Sequence, residues 1–182
     1  MSLSAHKLYG PRGVGALYIR SGHMLPPLLV GGAQERGMRA GTENTPAICG
    51  FDLAAQMAQE DLHLRMEREK CMLNAWITRL KPSGIIHLGE SRERLPGVAA
   101  LMLPNISAEQ AIAALDLRGV MISGGAACAS RSGQPSHVYT AMGLSEKEAA
   151  RVIRVSIGRH TTADQLDYAA ECLESLIAQQ TR

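Results

Sequence analysis

SAHKLYGPRGVGALYIR, at residues 4–20, places one lysine just before a glycine-rich turn and a short apolar run. The run at 14–20 has the composition of a buried β-strand, and glycine permits a close backbone approach that a side chain would block. Lys7 would then lie on a rigid turn. Such a lysine is either a solvated side chain or a reactive amine, and a reactive amine needs a pKa lowered by burial or a nearby cation. The stretch alone leaves both interpretations open.

The composition is that of a globular protein without nucleic-acid or membrane partners. Of the 182 residues, 46% are hydrophobic and 20% are charged, which is enough apolar material for a packed core. The net charge of +2 is too small to indicate binding to nucleic acid or to an anionic membrane. No apolar run approaches the roughly 18 residues of a membrane span, and the N-terminus lacks the layout of a signal peptide. We therefore expect a cytoplasmic protein.

Three regions follow one another along the chain. Residues 21–44 are rich in glycine and proline and have no hydrophobic period, which predicts a loop long enough to be functional. From residue 45 the pattern becomes helical, with Pro46 at a first helical position, and it ends at a Pro-Ser-Gly sequence. The predicted organisation is a first segment at 1–44, a bridging helix or closely spaced helix pair at 45–81, and a compact α/β domain at 82–182.

The region 82–182 alternates strand and helix signals. Strands are predicted at 97–104, 120–123 and 152–157. Three helices begin with a capping box, in which a hydroxyl residue and a Gln or Glu three positions later satisfy each other's backbone donors. These pairs are Ser107 with Gln110, Ser145 with Glu148, and Thr162 with Gln165. The pattern predicts an α/β fold.

The four cysteines are too scattered for a metal site or a disulfide framework. No C-x-x-C or Cys/His cluster with zinc spacing is present, and a reducing compartment disfavours disulfides. We expect Cys49 and Cys172 to be buried as small hydrophobes, and Cys71 to have no special role. Cys128 differs, because it lies among glycine, alanine and serine just before an arginine. Access and a nearby cation are what a nucleophilic thiol needs.

Arg154 lies in the middle of the predicted strand VIRVSI. Alternation places Ile153 and Val155 on one face of that strand and Arg154 on the other. The arginine either makes a structural salt bridge, or projects into solvent, or binds a substrate carboxylate through its two-pronged guanidinium. The strand alone does not decide among these.

Four segments in series resemble the pyridoxal-phosphate-dependent cysteine desulfurases of the NifS/IscS type, which are class V aminotransferase-family enzymes of fold type I. The 4–20 stretch resembles their lysine segment, and GGAQERGMRAGTEN at 31–44 resembles the loop that follows it. GGAACASRSGQPSHV at 124–138 resembles the loop that carries the nucleophilic cysteine. VIRVSIGRHTT at 152–162 resembles the strand of the carboxylate-binding arginine. The resemblance covers essentially the whole chain.

This resemblance implies the cofactor, the substrate and the role of each site residue. The cofactor would be pyridoxal 5'-phosphate (PLP), and L-cysteine would be converted to L-alanine, with a persulfide passed to a sulfur-acceptor protein, in a homodimer. The implied residues are Lys7 as the lysine that carries PLP, Ser4 and His6 at its phosphate, Thr42 at the phosphate of the neighbouring subunit, Cys128 as the persulfide cysteine, and Arg154 at the substrate carboxylate.

The resemblance also implies that the chain corresponds to the latter half of such an enzyme. Residues 1–44 would be a remnant of the large PLP-binding domain, and 82–182 the small C-terminal domain. We expect this chain alone to be a poor enzyme or none. Another class V aminotransferase, a selenocysteine lyase and a non-catalytic interaction fragment remain alternatives. An aminotransferase would not need Cys128.

Overall fold

The computed structural model describes residues 1–125 and 136–180. It divides into two compact units, Met1–Leu62 and His63–Arg182, which are described separately below. The helical region predicted at 45–81 consists of two helices, and the predicted domain boundaries at 44 and 81 stay a prediction. Within the described residues, no helix is both long enough and apolar enough to cross a membrane.

The first unit contains a β-hairpin and one long helix. Strands β1 (Ser2–Ser4) and β2 (Gly15–Leu17) pair antiparallel, and a 3₁₀ helix, Ala5–Leu8, follows β1. The residues of β2 are exposed. The prediction of a buried strand at 14–20 is therefore wrong within this unit, because a two-stranded hairpin has no second layer to cover its faces.

Helix α1 (Thr45–Glu60) closes the first unit. Its N-cap is Asn44, whose side chain accepts a hydrogen bond from Ala47 N at 3.3 Å. The helix face that contains Gly50 and Ala54 approaches the turn after β1. Cys49 is exposed, so the prediction that it is buried is wrong. Cys49 and Ala54 are five positions apart, which at 100° per residue places the two on different sides of the helix.

Helix α2 (Leu62–Leu80) is separated from the end of α1 by one residue in the sequence, and apart from Leu62 it belongs to the second unit. Its buried residues are confined to its C-terminal half, at Leu73, Trp76, Ile77 and Leu80. These side chains belong to the main hydrophobic core. The stretch 45–80 is thus a closely spaced pair of helices.

A three-stranded antiparallel sheet forms the centre of the second unit. Its strands are β3 (Ile86–Leu88), β4 (Val98–Met102) and β5 (Val152–Ser156), in the order β3-β4-β5. One face packs against α2, α3 (Ala108–Asp116) and α6 (Ala163–Gln180), with Leu101 and Ile153 fully buried between them. Cys172 of α6 is buried there as predicted.

The predicted capping boxes are present. Ser107 and Gln110 open α3, and Ser145 and Glu148 open the short helix α5 (Glu146–Ala149). Thr162 and Gln165 make the corresponding pair of bonds at the start of α6. The predicted strand at 120–123 is not formed. Only Ser123 makes a β-bridge, because the chain leaves the sheet edge at a pair of glycines.

The opposite face of the sheet carries a smaller cluster. Tyr139, from the short helix α4 (His137–Ala141), packs with Ala149 and Val152. Ala100 and Met102 of β4 are packed against this cluster. Because side chains alternate along β5, Arg154 lies on this same face, away from the helices that cover the main core.

Candidate functional site

The turn that carries Lys7 is held by backbone hydrogen bonds. Ala5 N donates to Val14 O at 3.2 Å, and Gly10 N donates to Ala5 O at 2.9 Å. Ala5 is fully buried and is the first residue of the 3₁₀ helix. The amine of Lys7 is exposed on this anchored turn.

Close packing at Gly10 leaves little room for a side chain on the turn. A Cβ there would lie 3.1 Å from Ala5 O and 3.1 Å from Ala54 Cβ. Tyr9, just before it, has a left-handed backbone with φ 64°, which is strained for a bulky residue. Strained backbone of this kind is concentrated at functional sites in proteins.

Ser4, His6 and Lys7 lie together on this segment. Ser4 is half-buried at the end of β1, and His6 and Lys7 are exposed. In the described ranges 1–125 and 136–180, none of these three side chains has a hydrogen-bond or ion-pair partner. Thr42 is exposed two residues before the N-cap Asn44, and among the described residues its side chain makes no hydrogen bond to the lysine turn.

At Arg154, strand β5 has a neighbouring chain segment on each of its two sides. Arg154 N donates to Ser123 O at 2.6 Å, and Ser123 N donates to Arg154 O at 3.2 Å. On the other edge, Arg154 is in register with Ala100 of β4. The position of Arg154 Cα, from which the side chain extends, is therefore well defined.

The guanidinium of Arg154 retains unused hydrogen-bonding capacity. Its Nε is buried and has no partner among the described residues. A buried donor without a partner is costly, and arginine donates to carboxylates in pairs of parallel bonds. The salt bridge considered from the sequence is not formed with any described acidic residue. A carboxylate from outside the described residues would satisfy this donor.

Arg154 and Tyr139 both line a cavity of about 360 Å³, together with apolar side chains that include Leu88, Ala100 and Met142. Burial raises the pKa of Tyr139 above its ordinary value of 10.0, and the positive charge of Arg154 partly opposes that rise. The hydroxyl is therefore protonated at neutral pH.

Cys128 lies outside the described residues. The described residues that flank its segment, Gly125 and Ser136, approach each other. A Cβ at Gly125 would lie 3.4 Å from Ser136 Cβ and 3.7 Å from Tyr139 Cε2. Ser123 Oγ also donates to Gly125 O at 3.0 Å. Both flanks are thus held beside the cavity that contains Arg154.

Sequence reasoning missed Tyr139 and His87. Tyr139 could have been noticed as an aromatic residue next to the cysteine segment in a chain with only 3% aromatics. His87 has a buried Nε2 without a partner among the described residues. Burial lowers its pKa from the ordinary 6.5, and the charge of Arg94 lowers it further. No sequence motif marks His87.

Within the described ranges, no group of three or more metal-ligating side chains is present.

Comparisons with known proteins place the chain in a family. The sequence profile of the aminotransferase class V family matches residues 1–169. The chain therefore belongs to the class V aminotransferase family, as the resemblance implied.

Cysteine desulfurases are among the similar proteins of this family. The cysteine desulfurase of Bradyrhizobium diazoefficiens is 40% identical over 97% of this chain and 45% of its own length. IscS 1 of Archaeoglobus fulgidus, also a cysteine desulfurase, is 36% identical over 97% of this chain and 47% of its own length. The chain thus spans about half the length of the curated relatives it matches.

Solved structures give the same result for the fold. A NifS-like protein superposes with a TM-score of 0.86 at 31% identity, covering 98% of this chain and 46% of that one. The NifS-like protein of Rickettsia africae gives a TM-score of 0.87 at 30% identity, covering 98% of this chain and 47% of that one. The expected α/β fold of NifS-like enzymes is confirmed.

Proposed function

We propose that this chain contributes the lysine, cysteine and arginine of a PLP-dependent cysteine desulfurase. The supporting observation from the structure is the buried, unpartnered Nε of Arg154, because it calls for an anionic group. The sequence similarity to proteins named cysteine desulfurase suggests that the anion is the carboxylate of L-cysteine.

The side chains near Lys7 suit the cofactor. An exposed amine on an anchored turn can bond to an aldehyde, and a hydroxyl and an imidazole nearby can donate to a phosphate. Lys7 would hold PLP covalently, Ser4 and His6 would bind its phosphate, and Thr42 would bind the phosphate of a neighbouring subunit in a homodimer. When bound, PLP supplies an electron-withdrawing ring that stabilises negative charge at the substrate Cα.

The protein residues then bind the substrate, move a proton and accept sulfur. Arg154 binds and orients the carboxylate of L-cysteine. Nζ of Lys7 would accept the proton of the substrate Cα as a free amine, after the substrate amine has replaced it at the cofactor. The thiolate of Cys128 attacks the substrate sulfur, so that a sulfur–sulfur bond forms as the substrate carbon–sulfur bond breaks. The released carbon takes up a proton, and the products are L-alanine and a persulfide on Cys128.

The persulfide must then reach an acceptor. A cysteine in a segment of small residues meets the need of one sulfur atom to visit a cofactor and later an outside partner. We propose a sulfur-acceptor protein of the iron–sulfur cluster or thiolation pathways as that partner. A cytoplasmic location would supply the reducing environment that a free thiol requires.

Peptide mass spectrometry tests this function. The chain would be incubated with PLP and excess L-cysteine for long enough to detect a single turnover, since sustained catalysis is not expected of this chain alone, and then digested. We expect one extra sulfur atom on the peptide that contains Cys128, and none in Cys128→Ser. Cys71→Ser, a matched change at an exposed cysteine, should still gain sulfur at Cys128. Sulfur distributed equally over Cys71 and Cys128 would contradict the proposal, as would L-alanine formation that survives Cys128→Ser.

A further inference from the structure

The cavity beside Arg154 offers a second polar group to whatever the arginine binds. The cavity occupies about 360 Å³, and its lining is mainly apolar, with Leu95 and Met142 among the contributors. Tyr139 and Arg154 lie on the same face of the sheet within it. The inference that follows rests on the proposed function, because it concerns the carboxylate that Arg154 is proposed to bind.

The ring of Tyr139 is packed in the smaller cluster, whereas its hydroxyl makes no hydrogen bond to a described residue. The side chain is 6% exposed and packs with Ala149 and Val152. Among the described residues, its hydroxyl has no hydrogen-bond partner. A tyrosine with a buried ring normally finds a partner for its hydroxyl. The hydroxyl is therefore an available donor in a rigidly held position.

The other arginines near this cavity are less suited to the role. Arg94 already donates from Nη1 to Val98 O at 3.3 Å and from Nη2 to Asn74 Oδ1. Arg92 lies on the segment after β3 rather than on a sheet strand. Arg154 combines a fixed strand backbone with a buried free donor, and Tyr139 is close enough for the charge of Arg154 to affect its ionisation.

A carboxylate has more acceptor sites than one guanidinium can fill. Its two oxygens offer about four lone pairs, and a bidentate arginine uses two of them. An additional neutral hydroxyl donor can use a third without adding to the charged side chains that already line the cavity, which are Arg92, Glu93, Arg94 and Arg154.

We propose that Tyr139 is a substrate-positioning residue whose hydroxyl donates a hydrogen bond to the carboxylate bound by Arg154. The pair makes the cavity selective for small molecules that carry an α-carboxylate. The pair thereby discriminates L-cysteine from cysteamine, which has the same amine and thiol but no carboxylate, and Tyr139 strengthens that discrimination.

Nuclear magnetic resonance titration of the chain tests this inference without relying on turnover. The Nε–H signal of Arg154 and the ring signals of Tyr139 would be followed while L-cysteine or cysteamine is added under reducing conditions. We expect L-cysteine to shift both signals, and cysteamine to leave the Arg154 signal in place. Tyr139→Phe keeps the packed ring and removes only the hydroxyl, and it should weaken L-cysteine binding about tenfold, since hydrogen bonds to charged groups are stronger than neutral ones.

The outcomes separate this inference from the proposed function. If Tyr139→Phe binds L-cysteine as tightly as the unsubstituted chain while Arg154→Gln loses binding, the role of Tyr139 is overturned and the role of Arg154 stands. If L-cysteine does not shift the Arg154 signal, both are overturned. Equal binding of L-cysteine and cysteamine would also overturn the proposed selectivity. Unchanged amide spectra of Tyr139→Phe would show that the fold is preserved, and Tyr168→Phe, at an exposed tyrosine, is the matched control.

Discussion

Arg154 combines a fixed backbone with a guanidinium that the described residues leave partly unsatisfied. Two hydrogen bonds join it to Ser123, and its Nε is buried without a described partner. A buried donor without a partner lowers the stability of the folded chain. Proteins retain such a group where function requires it.

Replacing Arg154 by Met should therefore stabilise the chain. The change removes a buried unpaired donor while keeping most of the side-chain volume, so we expect the free energy of unfolding to rise by about 1 kcal/mol. Urea denaturation followed by circular dichroism would measure it. Arg79→Met is the matched control, because Arg79 pairs with Asp167 at 2.9 Å and Glu174 at 3.2 Å, and that change should destabilise. Destabilisation of equal size in both variants would contradict this account of Arg154.

Trp76 shows the opposite case of a buried donor that is satisfied. Its Nε1 donates to Leu166 O at 2.6 Å, which links α2 to α6 inside the core. Trp76→Phe should lower the free energy of unfolding by about 2 kcal/mol, because it removes that bond and part of a buried ring. Tyr168→Phe, which removes an exposed hydrogen bond to Arg118 O, should have little effect. If thermal denaturation showed that Trp76→Phe and Tyr168→Phe lower the stability equally, the buried bond of Trp76 would not contribute more than the exposed bond of Tyr168.

The sequence predicted charged candidate residues but not their surroundings. Lys7 and Arg154 became candidates because a lysine at a glycine-rich turn and an arginine inside an apolar strand are locally unusual. Tyr139 was missed because its relation to Arg154 depends on which face of the sheet α4 covers. Cys49 was predicted to be buried from its residue type, although burial depends on which side of α1 has a neighbour.

At the scale of elements, local signals were reliable where the cause is local. The capping boxes at Ser107, Ser145 and Thr162 were predicted because each uses atoms only three residues apart. Strands β4 and β5 were recognised from their apolar content. Strands β1 and β3 were not predicted, since each has three residues and such a length is too short to show alternation.

The capping box of α5 should make stability depend on pH. Hydrogen bonds from Ser145 hold the pKa of Glu148 below its ordinary value of 4.5. The stabilisation by ionised Glu148 is thus fully present above the unfolded-state pKa and is lost as the pH falls through the lower folded-state pKa. Thermal midpoints of the unsubstituted chain and Glu148→Gln should differ at neutral pH and converge in acid. Glu146→Gln removes a charge from the same turn and is the control. A gap between the unsubstituted chain and Glu148→Gln that does not change with pH would contradict this assignment.

At the scale of the whole molecule, the two units differ in how much of their structure is buried. Ala5 is the one described residue of Met1–Leu62 that is buried, whereas the main core belongs to His63–Arg182. The sequence did not reveal this difference, because apolar residues such as Leu28 and Leu53 occur in the first unit and remain exposed.

Hydrogen exchange should reveal this difference directly. Local stability follows buried apolar contacts, so amides of β1, β2 and α1 should exchange at least about tenfold faster than those of β4 and β5. Mass spectrometry of peptic peptides would measure the rates. Comparable protection in the two units would contradict the inference that the second unit holds nearly all of the stabilising core.

The most direct test of the proposed function is to identify the lysine that PLP modifies. The chain contains four lysines, at 7, 70, 81 and 147, and Lys81 is paired with Glu90 at 2.6 Å. PLP would be added, the adduct fixed by borohydride reduction, and the modified peptide identified by mass spectrometry. We expect modification mainly at Lys7, its loss in Lys7→Ala, and its persistence in Lys81→Ala. Equal modification of all four lysines would contradict the proposed function.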